Sequence, residues 1–146
     1  MKKLILLIVV CFTITVNAQK TEVENTVKIF FEGFHAKDTI KIKSVCAEKM
    51  ILQSIIEGQK GVRFEDEKPS EFYKSFSRFP ADMKFEERIL NYNIQIDGRM
   101  AHAWTPYEFY VNGKLSHSGV NAFTMYKEND VWKIIYLIDT RRKNNM

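Results

Sequence analysis

The chain has 146 residues, with 22 basic and 18 acidic side chains and a net charge of +4. That length is enough for one domain with a real core, and so mild a charge gives nucleic-acid binding no support. Lys2 and Lys3, the apolar run from Leu4 to Val16, and Val16-Asn17-Ala18 have the form of a secretory signal with an A-x-A-like cleavage site. Residues 1–18 are therefore expected to be cleaved, leaving a single domain over 19–146, secreted or periplasmic and without a membrane span. A lipoprotein signal using Cys11 is the rival, but Val10 stands where a small residue is wanted. Loss of Lys2 and Lys3 lowers the basic count to 20 and the net charge to +2. Cys46 is then the lone cysteine, so no intrachain disulfide is possible, and its helical, apolar neighbours mark it as a small buried hydrophobe.

In chain order, Val23, Val27, Phe30, Phe31 and Phe34 recur at helical spacing and predict a first helix from about Thr21 to His35. Asp38 or Thr39 can cap a short second helix with Ile40, Val45 and Cys46 on its apolar face. Met50 to Ile56 has strand length, while Lys60 to Lys68 is charged and aperiodic and reads as a loop. Pro69 suits the first turn of a third helix, whose buried side is Phe72, Phe76 and Phe79 and which Pro80 ends. From Phe85 the period becomes two, and Asp97-Gly98 forms a hairpin turn. Strands follow over Met100–Val111, Lys114–Tyr126 and Val131–Thr140. Helices first and then an antiparallel meander make the class α+β.

The turn Asn112-Gly113 fixes a candidate site. Asn-Gly supplies the two positive φ angles of a type I′ hairpin, so Val111 pairs with Lys114, Glu108 lies opposite His117, and Trp104 opposite Asn121. A three-residue loop over Glu128–Asp130 adds Asp139 and Arg141 to the same face, while Pro106 invites a bulge that would shift the count. One face then carries Trp104, Glu108, Tyr110, His117, Asn121, Asp139 and Arg141. It reads either as a pocket wall or as a cross-strand ion-pair network on a half-wet sheet. In the first reading His117 exchanges protons, Glu108 orients it, and Arg141 holds an anionic group. Asp139 with Arg141 or Arg142 also reads as a salt bridge at a barrel rim. The phenylalanines Phe64, Phe72, Phe76 and Phe79 read as core or as the apolar mouth of a cone. His35, His102 and His117 lack zinc-type spacing, so no metal is expected, and without a Gly-rich phosphate loop no cofactor is expected either.

The order of elements, with Ala103-Trp104-Thr105-Pro106-Tyr107-Glu108-Phe109-Tyr110, Ser116-His117-Ser118-Gly119-Val120, Trp132-Lys133-Ile134 and Asp139-Thr140-Arg141-Arg142, resembles the nuclear transport factor 2-like superfamily. This group includes the SnoaL-like and ketosteroid-isomerase-like cones. The text is similar to that of secreted Bacteroidetes-type members labelled lumazine-binding or left uncharacterised. The resemblance implies a cone of curved antiparallel sheet packed on three helices, and a homodimer formed through the sheet. It also sets Phe30 at the place of the isomerase oxyanion-binding tyrosine and Ser54 near that of its catalytic aspartate, so isomerase chemistry is not expected. The reading that follows is a binding protein for a compact, partly aromatic or acidic small molecule. A hydrolase or isomerase using His117 with Glu108 is the alternative, and a protein-interaction module is a further one.

Overall fold

The computed structural model describes residues 2–80 and 82–143, with side chains from Asn17 onward. Its elements are α1 (Lys2–Ala36), α2 (Thr39–Val45), β1 (Cys46–Gly58), β2 (Gly61–Glu67), α3 (Pro69–Ser75) running into a 3-10 turn at Phe76–Arg78, β3 (Phe85–Ile89), β4 (Asn93–Asp97), β5 (Met100–Val111), β6 (Lys114–Glu128) and β7 (Val131–Arg142). The helix expected from Thr21 extends back to Lys2, and the signal reading falls largely on side chains outside those described. Among the described residues no helix is long and apolar enough to cross a membrane.

One seven-stranded sheet runs in the order β2-β1-β7-β6-β5-β3, with β4 also paired to β5. All pairs are antiparallel except β1 with β7. The segment read as a loop from Lys60 is instead strand β2, fully exposed and held by its ladder to β1. It lacks periodicity because neither of its faces is buried, so there was no apolar alternation to detect. Phe64 lies there at 61% exposure, outside the hydrophobic core.

Asp38 caps α2 through Oδ1, which accepts from the N–H groups of Ile40 and Lys41. The apolar face of α2 is Ile42 and Val45, whereas Ile40 is 81% exposed and Cys46 opens β1. Cys46 is buried and unpaired as expected, and burial pushes its thiol up to about 12. Pro69 does open α3.

Two bulges shape the sheet. Phe109 pairs with His117 but Tyr110 with Leu115, so Ser116 is an extra residue in β6. Met125 pairs with Ile134 but Thr124 with Tyr136, so Ile135 is extra in β7. Each insertion bends its strand and adds twist, which curls the sheet toward a cone. Pro106 causes no bulge. Its carbonyl accepts from Leu90 N–H, on the edge where β3 has ended and β4 not yet begun, so its missing N–H costs no ladder bond.

The concave face takes α1. Val23, Val27, Phe30 and Phe31 pack against Ala101, Ala103, Phe123, Met125, Trp132 and Ile134, all nearly inaccessible to water. Small residues at 101 and 103 let the helix come close, which leaves Trp104 on the opposite, convex side at 47% exposure. Glu22 fixes the helix further, accepting from Trp132 Nε1 at 3.2 Å and Lys127 Nζ at 2.7 Å. Toward the other ends of β5, β6 and β7 the helix no longer fills the concavity, and a cavity opens.

Candidate functional site

The cavity measures about 400 Å³. Its apolar wall is contributed by α1, α3 and the 3-10 turn after it, β3 and β5 through Phe30, Phe34, Phe72, Phe76, Phe85 and Phe109. Phe34 is the hub, with its ring centroid 5.0–6.4 Å from those of Phe72, Phe76, Phe85 and Phe109. These stacked, tilted and edge-on contacts fix a rigid aromatic lining.

The opposite wall is polar. Asn121 on β6 pairs across the sheet with Thr105 and Asp139, and its Nδ2 donates to Glu87 Oε1 at 2.6 Å. Asp139 is 9% exposed, and its carboxylate accepts from Ser54 Oγ, from Tyr107 Oη at 3.1 Å and from Arg141 Nε at 2.7 Å. Tyr107 Oη also lies 2.9 Å from the Thr140 carbonyl, so its single proton is shared between two acceptors. Burial and then the charge of Asp139 push the Tyr107 hydroxyl well above the usual phenol range. The Tyr107 ring crosses Gly119, where a Cβ would overlap the Thr140 carbonyl oxygen and meet Tyr107 Cε1 at 2.9 Å. Glycine is required at 119 by space, not by backbone conformation.

Glu87 is the most perturbed carboxyl in the cavity. Burial pushes its carboxyl from the ordinary 4.5 up to about 8, against the Asn121 hydrogen bond that favours the anion. It is therefore mostly protonated at pH 7 and presents a hydroxyl donor. Its backbone N–H donates to His35 Nε2 at 2.8 Å, so the His35 proton sits on Nδ1. His117 sits at the neck of the cavity, stacked on Phe109 at 4.8 Å. Burial, then the positive charge of Arg141, lowers its pKa and favours the neutral ring.

No family model and no curated protein matches this chain. Solved structures do. A nuclear transport factor 2-like protein of unknown function from Shewanella baltica superposes with a TM-score of 0.63 at 9% identity, covering 87% of this chain and 96% of that one. A second, from Pseudomonas putida, gives 0.67 at 12% identity over 85% and 87%. A Nostoc punctiforme protein described as having a cystatin-like fold gives 0.66 at 15% identity over 86% and 92%. The fold is that of the nuclear transport factor 2-like proteins. At these identities the likeness carries the architecture and no activity.

Within this nuclear transport factor 2-like cone, four of the seven residues expected on one face do meet: His117, Asn121, Asp139 and Arg141 all line the cavity. Glu108, Trp104 and Tyr110 do not. The Ser116 bulge slips the register by one, so His117 lies opposite Phe109, Glu108 opposite Ser118, and Trp104 opposite Ala122. A one-residue slip sends a side chain to the other face of the sheet. Glu108 instead accepts from Tyr110 Oη at 2.7 Å, and the Arg88 guanidinium lies 4.0 Å from the Tyr110 ring centroid. The pairing of Glu108 with His117 is thus not formed.

Asp139 and Arg141 reach the cavity although their loop was misread. The turn holds two residues, Asn129 and Asp130, both at positive φ, and the Ile135 bulge then restores the expected parity. Asn121 consequently faces Asp139, and Trp132 and Ile134 point into the core. Phe30 lines the cavity without a hydroxyl, and Ser54 acts as a donor to Asp139. Glu87, Tyr107 and Phe109 were missed. The inward parity of Phe85 and Ile89 in β3 already places Glu87 among apolar neighbours, and that polar interruption was the available signal.

Proposed function

We propose that this protein binds a small molecule with a flat apolar body and a neutral hydrogen-bonding end. The observation that carries this reading is an aromatic cavity of about 400 Å³ ending in two hydrogen-bonded pairs, Asn121 with Glu87 and Tyr107 with Asp139. Cavities of this size with few polar groups at one end suit compact ligands. The charge of Arg141 is already matched by Asp139, and Glu87 is mostly uncharged at pH 7, so the inner end favours a carbonyl or hydroxyl over an acid. Titration of 2-acetylnaphthalene by calorimetry tests this. Saturable binding is expected, weakened by Asn121→Leu and untouched by Glu108→Gln on the convex face. Absence of saturable binding, and of any thermal shift with related aromatic ketones, would overturn it.

A second reading rests on Glu87. A carboxyl pushed up to about 8 near a hydrogen-bonded carboxylate is the arrangement of a general acid beside an anion. Any proton transfer would therefore use Glu87 rather than His117 with Glu108. We also propose secretion or periplasmic export after cleavage near Ala18, and a homodimer through the convex face. Trp104, Ala122 and Ile138 are cross-strand neighbours there, and Trp104 and Ile51 are 47% and 51% exposed. Light scattering that finds only monomer at high micromolar concentration would remove the dimer.

A further inference from the structure

We propose that the cavity continues outward into an anion-binding rim, so that its ligand is an amphiphile with an apolar body inside and a carboxylate, sulfonate or phosphate outside. This rests on the small-molecule reading above and specifies the ligand class. A wider, more open groove of about 1120 Å³ adjoins the cavity and shares His117 and Arg141 with it. Its charged lining is Lys60, Arg63, Arg141, Arg142 and Lys143 against the single acid Glu57. Three of these cations have acidic partners: Arg141 with Asp139, Arg63 with Glu65 at 3.0 Å, and Arg142 with Glu57 at 4.0 Å. Among the described residues, Lys60 and Lys143 form no ion pair.

The orientation follows from the sign of charge on each side of His117. Inward lie Glu67, the Asp139–Arg141 pair and a Glu87 that is mostly uncharged at pH 7, so no cation there is left over for an anion. Outward lies the excess of cations, in an open groove where a charged group keeps part of its hydration. An acid entering the cone body-first therefore leaves its anion beside Lys60 and Lys143. A neutral ligand of the same shape gains nothing from the rim.

The test uses a matched pair, 4-(2-naphthyl)butanoate and its amide, titrated by calorimetry at 20 mM and 500 mM NaCl. The acid is expected to bind roughly 3- to 10-fold tighter than the amide at low salt, with the preference collapsing at high salt. The K60Q/K143Q variant, altered only at exposed positions, should lose the preference while binding the amide as before, which also shows that it is folded. Equal affinity for acid and amide, or a preference kept in K60Q/K143Q, would overturn the rim and leave the cavity reading standing. Failure of both probes to bind would overturn both. Sedimentation with phosphatidylglycerol vesicles that K60Q/K143Q abolishes, without any acid preference in solution, would assign the rim to a bilayer surface and also overturn the proposal.

Discussion

Replacing Glu87 by glutamine should stabilise this protein at alkaline pH and do almost nothing at acid pH. The native state holds the carboxyl at about 8, against 4.5 when exposed, so folding takes up a proton between those values. The unfolded chain binds fewer protons there, and stability therefore falls as pH rises from 4.5 to 8 and is level beyond. At about 1.4 kcal/mol per tenfold change in acidity, the full span is worth an upper limit of roughly 5 kcal/mol. Glutamine keeps the oxygen that accepts from Asn121 Nδ2 and carries no charge to desolvate. Urea unfolding of both proteins at pH 4, 6 and 9 should give curves that nearly coincide at pH 4. At pH 9 the variant should be ahead by a part of that limit, about 1–3 kcal/mol, because Glu87 is only partly shielded from water. A constant difference across the three pH values would refute the buried, protonated Glu87.

Three further outcomes follow from the same geometry. Asp139→Ala strips the buried Ser54 hydroxyl of its acceptor and leaves Arg141 uncompensated, though Tyr107 keeps the Thr140 carbonyl. It should cost about 2–3 kcal/mol and lower Tm by about 10 °C in a thermal melt, and an unchanged melt would remove the network. Gly119→Ala places a methyl against the Thr140 carbonyl and the Tyr107 ring, so a loss of at least about 3 kcal/mol is expected, read by urea midpoint. Cys46, 7% exposed with its thiol pushed up to about 12, should react with a disulfide reagent at pH 8 only as fast as the chain unfolds, and rapid labelling of the native protein would contradict its burial.

The helices and long strands were legible because each buries one face. Val23 through Phe34 announce a stripe, and the Asn112-Gly113 turn sits where its two positive φ angles require. Strand β2 was illegible for the opposite reason: with both faces in water, its only signal is hydrogen bonding to β1. The site was half legible. Counting from the turn holds for four residues and fails at Ser116, whose insertion has no marker in Leu115-Ser116-His117. Pro106 looked like the place for a bulge, but it sits where the sheet edge is interrupted and needs none. Ala101 and Ala103 carried the missing clue, because small side chains at alternate positions show where a helix presses on the sheet, and hence that Trp104 faces away.

His117, wedged between the cavity and the outer groove, also bears on residence time. A ligand leaving the cone toward the groove has to pass an imidazole held by a stacking contact with Phe109 and a 3.2 Å contact between its Nδ1 and Ser116 Oγ. Moving that ring takes a side-chain rotation, on the order of nanoseconds, and leaves the strand ladders intact. Exchange would then be limited by the strength of the ligand's own contacts rather than by a slow opening of the fold. Tight and weak ligands should accordingly differ in how fast they leave, with similar rates of entry.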